Sequence, residues 1–137
     1  MLLNGKFIFI VEDNPQNRLV FQMALNRQGA WLEFEPSGQD VMSHLLRLRT
    51  VDIIILDLML PGTLSGYDVF DQIRAHDQFA HVPIVAVTAA DPTVALPRTR
   101  EKGFNSFLIK PIDINLFPQQ MARLLEGEEV WSVVTRS

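Results

Sequence analysis

Val51-Asp52-Ile53-Ile54-Ile55-Leu56-Asp57-Leu58-Met59-Leu60-Pro61-Gly62 is the stretch that decides the fold. A run from Val51 to Leu56, apolar except for Asp52 near its start, stops at Asp57, and a Pro-Gly turn signal follows. A short run rich in β-branched residues, bounded by turn residues, predicts a strand buried on both faces. Such a strand needs covering layers above and below. The sequence around it therefore has to supply helices, and more strands of the same kind.

It does so on both sides. Phe7-Ile8-Phe9-Ile10-Val11 is a second unbroken apolar run, closed by Glu12-Asp13. Val82 to Val87 is a third, closed by Thr88, with Pro83 near its start, where proline is tolerated. Phe104 to Ile109 also reads as a strand, closed by Lys110-Pro111. Trp31 to Glu35 alternates apolar with acidic residues and reads as a more peripheral strand. Between the strands lie helical patterns. Asp13-Asn14-Pro15 is a helix start, Leu19, Val20, Met23, Ala24 and Leu25 recur at helical spacing, and Gly29 is a stop. Pro36-Ser37-Gly38 precedes a stripe of Val41, Leu45, Leu46 and Leu48. Tyr67, Val69, Phe70 and Ile73 fit a third helix. Ile114 to Leu125 is the last, with Pro118 required in its first turn, where amides lack helical partners. Strand and helix alternate five times, which predicts an α/β fold: a doubly wound, five-stranded parallel sheet with helices on both faces.

Composition narrows the function. The chain has 137 residues, 47% hydrophobic and 20% charged, an ordinary balance for one globular domain. With no cysteine there is no disulfide scaffold, thiolate zinc site or thiol nucleophile. A net charge of -4 gives no basic footprint for nucleic acid. No apolar run nears the roughly 20 residues that cross a membrane. The expectation is a soluble cytoplasmic domain with neither nucleic acid nor membrane as partner.

The polar groups at the strand ends carry the chemistry. In an open α/β sheet the carboxyl ends of the strands line the ligand crevice. Glu12, Asp13 and Asp57 would meet there with the Thr88 hydroxyl and the Lys110 ammonium. Three carboxylates held together repel unless a cation joins them. Magnesium suits this donor set, because it takes oxygen ligands and is shared with phosphate. A carboxylate can then act as nucleophile and form an aspartyl phosphate. The metal, Lys110 and Thr88 could balance the charge of the transferred group. Asp57 stands alone at the end of a central strand and is assigned as nucleophile. The adjacent pair is assigned to the metal, one member direct and the other through water.

These residues resemble a known family. Glu12-Asp13, Asp57 through Gly62, Gly66, Thr88-Ala89, Phe107 and Lys110-Pro111 stand in the order found in response-regulator receiver domains of two-component signalling. The resemblance runs from Lys6 to about Gly127, and it is closest in kind to the stand-alone, chemotaxis-type regulators. It implies a flavodoxin-like sheet of order 2-1-3-4-5. It implies that Asp57 takes a phosphoryl group from a phosphohistidine on a sensor kinase or phosphotransfer protein. Asp13 and Asp57 would bind magnesium directly, Glu12 through water, and Met59 through its backbone carbonyl. Thr88 and Lys110 would contact the phosphoryl oxygens. Thr88 and Phe107 would form a switch pair, the ring turning inward as the hydroxyl moves toward the phosphoryl group. The fourth helix, fifth strand and fifth helix would face an effector protein or a second copy of the chain. The protein would be a signalling phosphoacceptor rather than an enzyme, although it would catalyse its own phosphorylation and dephosphorylation.

Residues 1–127 are expected to form the receiver, and 128–137 an apolar tail with no output domain behind it. Three features depart from the family pattern. Gly66 stands nine positions after Asp57, one more than usual, a slack that Gly62-Thr63 or Leu64-Ser65 could absorb. Pro97 should break or delay the fourth helix, giving a short helix near Pro97 or an irregular segment before it. The tail Glu128-Glu129-Val130-Trp131-Ser132-Val133-Val134 is unusually apolar and is expected to dock on the domain or bind a partner. His44, His76 and His81 show no ligand spacing and read as solvated. Three other functions compete with phosphoacceptance. A receiver-like binding module that has lost phosphorylation would not need the full acidic, Thr and Lys set. A phosphohydrolase would normally carry an acid two residues after its nucleophile, where this chain has Met59. A flavin carrier on a similar sheet would need a phosphate loop where Glu12-Asp13 stands.

Overall fold

The apolar runs become neighbouring strands. The structure, a computed structural model, describes residues 1–131 of the chain. The strands are Phe7–Val11 (β1), Trp31–Glu35 (β2), Ile53–Leu56 (β3), Ile84–Thr88 (β4), Ser106–Ile109 (β5) and Val130–Trp131 (β6). They form one parallel sheet in the order β2-β1-β3-β4-β5-β6. The helices are Pro15–Leu25 (α1), Val41–Leu45 (α2), Gly66–Arg74 (α3), Pro92–Lys102 (α4) and Phe117–Leu125 (α5). The doubly wound fold is as the sequence pattern predicts, and the 2-1-3-4-5 order of the first five strands is as the resemblance implies.

Strand alternation divides the core in two. Ile8, Ile10, Ile53, Ile55, Val85, Val87 and Leu108 face α1 and α5, where Phe21, Leu25, Phe117 and Met121 cover them. Phe9, Val11, Ile54, Leu56, Ala86 and Phe107 face the opposite side, under Val41, Leu45, Val69, Phe70, Ile73 and Ala95 of α2, α3 and α4. Burying each large apolar side chain contributes about 1.5–3 kcal/mol. These two layers fix where every strand ends. Asp52 lies just before β3, and its carboxylate accepts a hydrogen bond from the Phe7 amide at 2.8 Å.

Local signals set the helix starts. Asn14 caps α1 by accepting from the amides of Gln16 and Asn17 at 2.8 and 3.1 Å, with Pro15 in the first turn. Ser65 and Asp68 form a reciprocal capping box on α3. Pro118 occupies the first turn of α5, as required.

Two expectations need correction. Pro97 does not break α4, which runs unbroken from Pro92 to Lys102. Asp91 caps it by accepting from the Thr93 amide at 3.0 Å. Pro97 and Thr93, whose carbonyl loses its helical donor, both lie on the exposed side, where water can replace the missing bond. The second correction concerns His44. It is half-buried, with Nδ1 2.9 Å from Glu35 and Nε2 3.0 Å from Glu33, and its ring stands edge-on to Phe9. Glu33 and Glu35 are two apart on β2, so both carboxylates project toward α2. His76 and His81 are exposed, as expected. The tail adds a sixth strand that the sequence reading did not assign. Its remaining part, Ser132-Val133-Val134 included, lies outside the described residues.

Candidate functional site

The register of β1, β3, β4 and β5 assembles the site. Val11 pairs with Leu56, so Glu12 and Asp57 are the next residues on neighbouring strands. Thr88 pairs with Ile109, so Lys110 follows directly beside β4. The Asp57 amide donates to the Val11 carbonyl at 3.1 Å, and the Lys110 amide to the Thr88 carbonyl at 2.9 Å. Each polar residue is held at a strand end by the ladder that formed the strand.

The side chains then converge. Lys110 Nζ donates to Glu12 Oε1 at 2.7 Å and to Asp57 Oδ2 at 2.8 Å. Asp57 Oδ1 accepts from the Met59 amide at 3.0 Å. Glu12 Oε2 accepts from the Asn14 amide at 3.1 Å and from the Asn17 side-chain amide at 3.4 Å. Glu12 and Asp57 are buried, while Asp13 is exposed. Carboxylate oxygens of all three lie within 4.8 Å of one another. Burial depresses the Lys110 ammonium, but its hydrogen bonds to Asp57 and Glu12 and the negative charge of both outweigh this, and its pKa stands above the ordinary lysine value. The cluster carries three carboxylates against one ammonium, an excess of oxygen donors suited to a hard cation.

A family model for the response regulator receiver domain matches residues 8–122. The chain belongs to this family. Among curated relatives, the transcriptional regulatory protein AfsQ1 of Streptomyces coelicolor is 30% identical over 122 residues, 89% of this chain and 52% of AfsQ1. The polar-differentiation response regulator DivK of Brucella anthropi is 30% identical over 112 residues, 82% of this chain and 89% of DivK. The chain thus spans about half the length of AfsQ1 and most of DivK. Among solved structures, the receiver domain of the Pseudomonas aeruginosa sensor histidine kinase PA1611 aligns with a TM-score of 0.78 and 30% identity. That alignment covers 90% of this chain and 99% of the neighbour, whose structure holds a magnesium ion in its active-site cleft. This protein is therefore a receiver of the two-component signalling type.

The other sequence-assigned residues of the receiver sit around the cluster rather than in it. Thr88 is fully buried, and its Oγ1 accepts from the Ala90 amide at 3.2 Å. Phe107 is fully buried on the α4 side of the sheet. The Met59 side chain is exposed at the rim. In the loop between Asp57 and Gly66, Gly62 turns with a φ of +88°, and Ser65 caps α3. The Lys110–Pro111 peptide is cis.

Sequence reasoning missed Asn14 and Asn17 as supports for Glu12. The signal was present, because residues at the start of α1 lie one turn from the end of β1. It also missed the Glu33–His44–Glu35 contact, whose signal was two acids at strand spacing on one face of β2.

Proposed function

We propose that this receiver accepts a phosphoryl group on Asp57 from a phosphohistidine of a sensor kinase or phosphotransfer protein in the cytoplasm, with magnesium. An Asp57 carboxylate oxygen attacks phosphorus in line with the leaving imidazole nitrogen. The P–N bond breaks, and the imidazole departs with the electron pair. Asp13 and Asp57 would hold magnesium directly, Glu12 through water and Met59 through its carbonyl. The ion supplies positive charge to the phosphoryl oxygens when bound. Lys110, already 2.8 Å from Asp57, neutralises a phosphoryl oxygen as the acyl phosphate forms. Thr88 leaves the Ala90 amide and donates to another oxygen. Thr88 and Phe107 act as the switch pair, and the receiver later hydrolyses its own acyl phosphate. We assign residues 1–127 as the phosphoacceptor unit, and the face of α4, β5 and α5 as the contact for an effector protein or a second copy.

The observation that carries this reading is the meeting of Glu12, Asp13 and Asp57 with Lys110 at the carboxyl end of the sheet. Incubation with magnesium and acetyl phosphate should add one phosphoryl group by mass, and Asp57→Asn should abolish the addition. A wild-type chain that stays unmodified with both this donor and a competent kinase would refute it.

A further inference from the structure

The short strand β6 touches the element that carries Phe107. Val130 pairs with Ser106, and Trp131 pairs with Phe107. In a parallel ladder, partners in register project to the same face. Phe107 and Trp131 therefore lie side by side on the α4 face, and Trp131 packs against the core cluster that contains Phe107. Phe107 is bounded toward the sheet centre by Ala86, its partner on β4, and that face of the sheet is covered by α4 through Ala95. The direction left for its ring is outward across the sheet edge, where Trp131 stands.

Trp131 is itself held by several groups. The Arg100 guanidinium of α4 lies 4.5 Å from the Trp131 ring centroid. Its indole N–H donates to Glu129 at 3.0 Å. The fully buried Ser106 hydroxyl donates to the Val130 carbonyl. Arg123 on α5 pairs with Glu128 at 2.9 Å. The strand is thus tied to α4, β5 and α5, the three elements of the assigned output face.

We propose that β6 is a latch on the switch, with Trp131 as a positioning residue that keeps the Phe107 ring inside. This rests on the reading of Thr88 and Phe107 as the switch pair. Docking of β6 and phosphorylation of Asp57 then favour the same ring position. By linkage each strengthens the other. The effector face is consequently regulated twice, by the phosphoryl group and by whatever competes for the edge of β5.

The test uses the full chain with 4-fluorophenylalanine at its nine phenylalanines, the Phe107 signal being assigned through Phe107→Leu. Trp131→Ala should move that signal toward the solvent-exposed shift and raise the ring-out population about two- to fivefold, the scale of one exposed cation–π contact. Arg100→Gln, an exposed change that leaves the core intact, should give a smaller shift in the same direction, and Trp131→Phe should restore the wild-type position. A Phe107 signal identical in Trp131→Ala and wild type would overturn the latch. No phosphodonor is needed for this measurement, so it stands or falls apart from the chemistry at Asp57. In a chain shown by mass to be phosphorylated, amide exchange at Val130 and Trp131 should slow, and unchanged exchange would overturn the coupling.

Discussion

Gly66→Ala tests how closely α3 is pressed against the chain that carries Asp57. A Cβ at position 66 would lie 2.4 Å from the Asp57 carbonyl oxygen and 2.6 Å from the Leu58 Cα. Ordinary contact begins at 3.4 Å, so the shortfall, 3.4 minus 2.4, is 1.0 Å. Both obstructing atoms belong to the backbone, and no rotamer change relieves them. Either the start of α3 or the end of β3 has to move. Overpacking of this kind costs about 1–3 kcal/mol. At ~2 kcal/mol, with a urea slope of about 1.5 kcal/mol/M, the unfolding midpoint should fall by roughly 1.3 M. The same displacement moves Asp57 relative to Lys110, and a misplacement of about 1 Å costs on the order of 10²-fold in rate. Acetyl phosphate uptake, followed by mass at a denaturant-free concentration where the variant is folded, should slow accordingly. Gly38→Ala is the control. A Cβ there would lie 3.1 Å from Val69 Cγ2, 3.2 Å from Leu64 Cβ and 3.4 Å from the Leu64 carbonyl oxygen, a far smaller overlap that should cost less than Gly66→Ala does. The reasoning fails if Gly66→Ala unfolds at the same urea concentration as Gly38→Ala and takes up phosphoryl at the wild-type rate.

Two further outcomes concern titration. Tyr67 is the chain's one tyrosine, and its pKa is raised by burial, partly opposed by the charges of Arg98 and Lys102. Phenolate absorbance should show a midpoint above the ordinary value of about 10, and Arg98→Gln should push it higher; a midpoint at or below free tyrosine would contradict the burial. Asp68 is held below the usual carboxylate range by hydrogen bonds from Ser65. Its depressed folded pKa stabilises the receiver above the unfolded carboxylate pKa, and that contribution is lost as pH falls through the folded value. Asp68→Asn should therefore flatten the acid limb of stability against pH, and superimposable limbs would show that the capping box does not titrate.

Much of this was legible in the sequence because the strands are uniform. A run such as Ile53–Leu56, buried on both faces, has few alternatives, and its lone terminal Asp57 marks the crevice end. The site followed from the same rule, since Glu12, Asp57, Thr88 and Lys110 each end a strand or directly follow one. What escaped depends on environment rather than pattern. Pro97 reads as a breaker by itself, but a proline facing water on an exposed helix side loses only one replaceable bond. His44 reads as solvated because no nearby residue in the chain explains it; its partners come from β2, across the β2–α2 turn. The strand at Val130–Trp131 was invisible because two residues carry no period, and only the open edge of β5 makes them a strand. The burial of Phe107 was foreseeable as core; which rotamer it holds was not.

The bonds from Lys110 also describe how the protein is assembled. Its partner Glu12 stands 98 residues away and its partner Asp57 stands 53 away. Closing such distances delays their formation until the intervening strands are ordered. No fragment ending before β5 contains the whole set. A chain clipped before β5 keeps the Asp57 carboxylate but lacks the Lys110 ammonium beside it. The proposed chemistry and the closure of the sheet therefore need the same late segment of the chain.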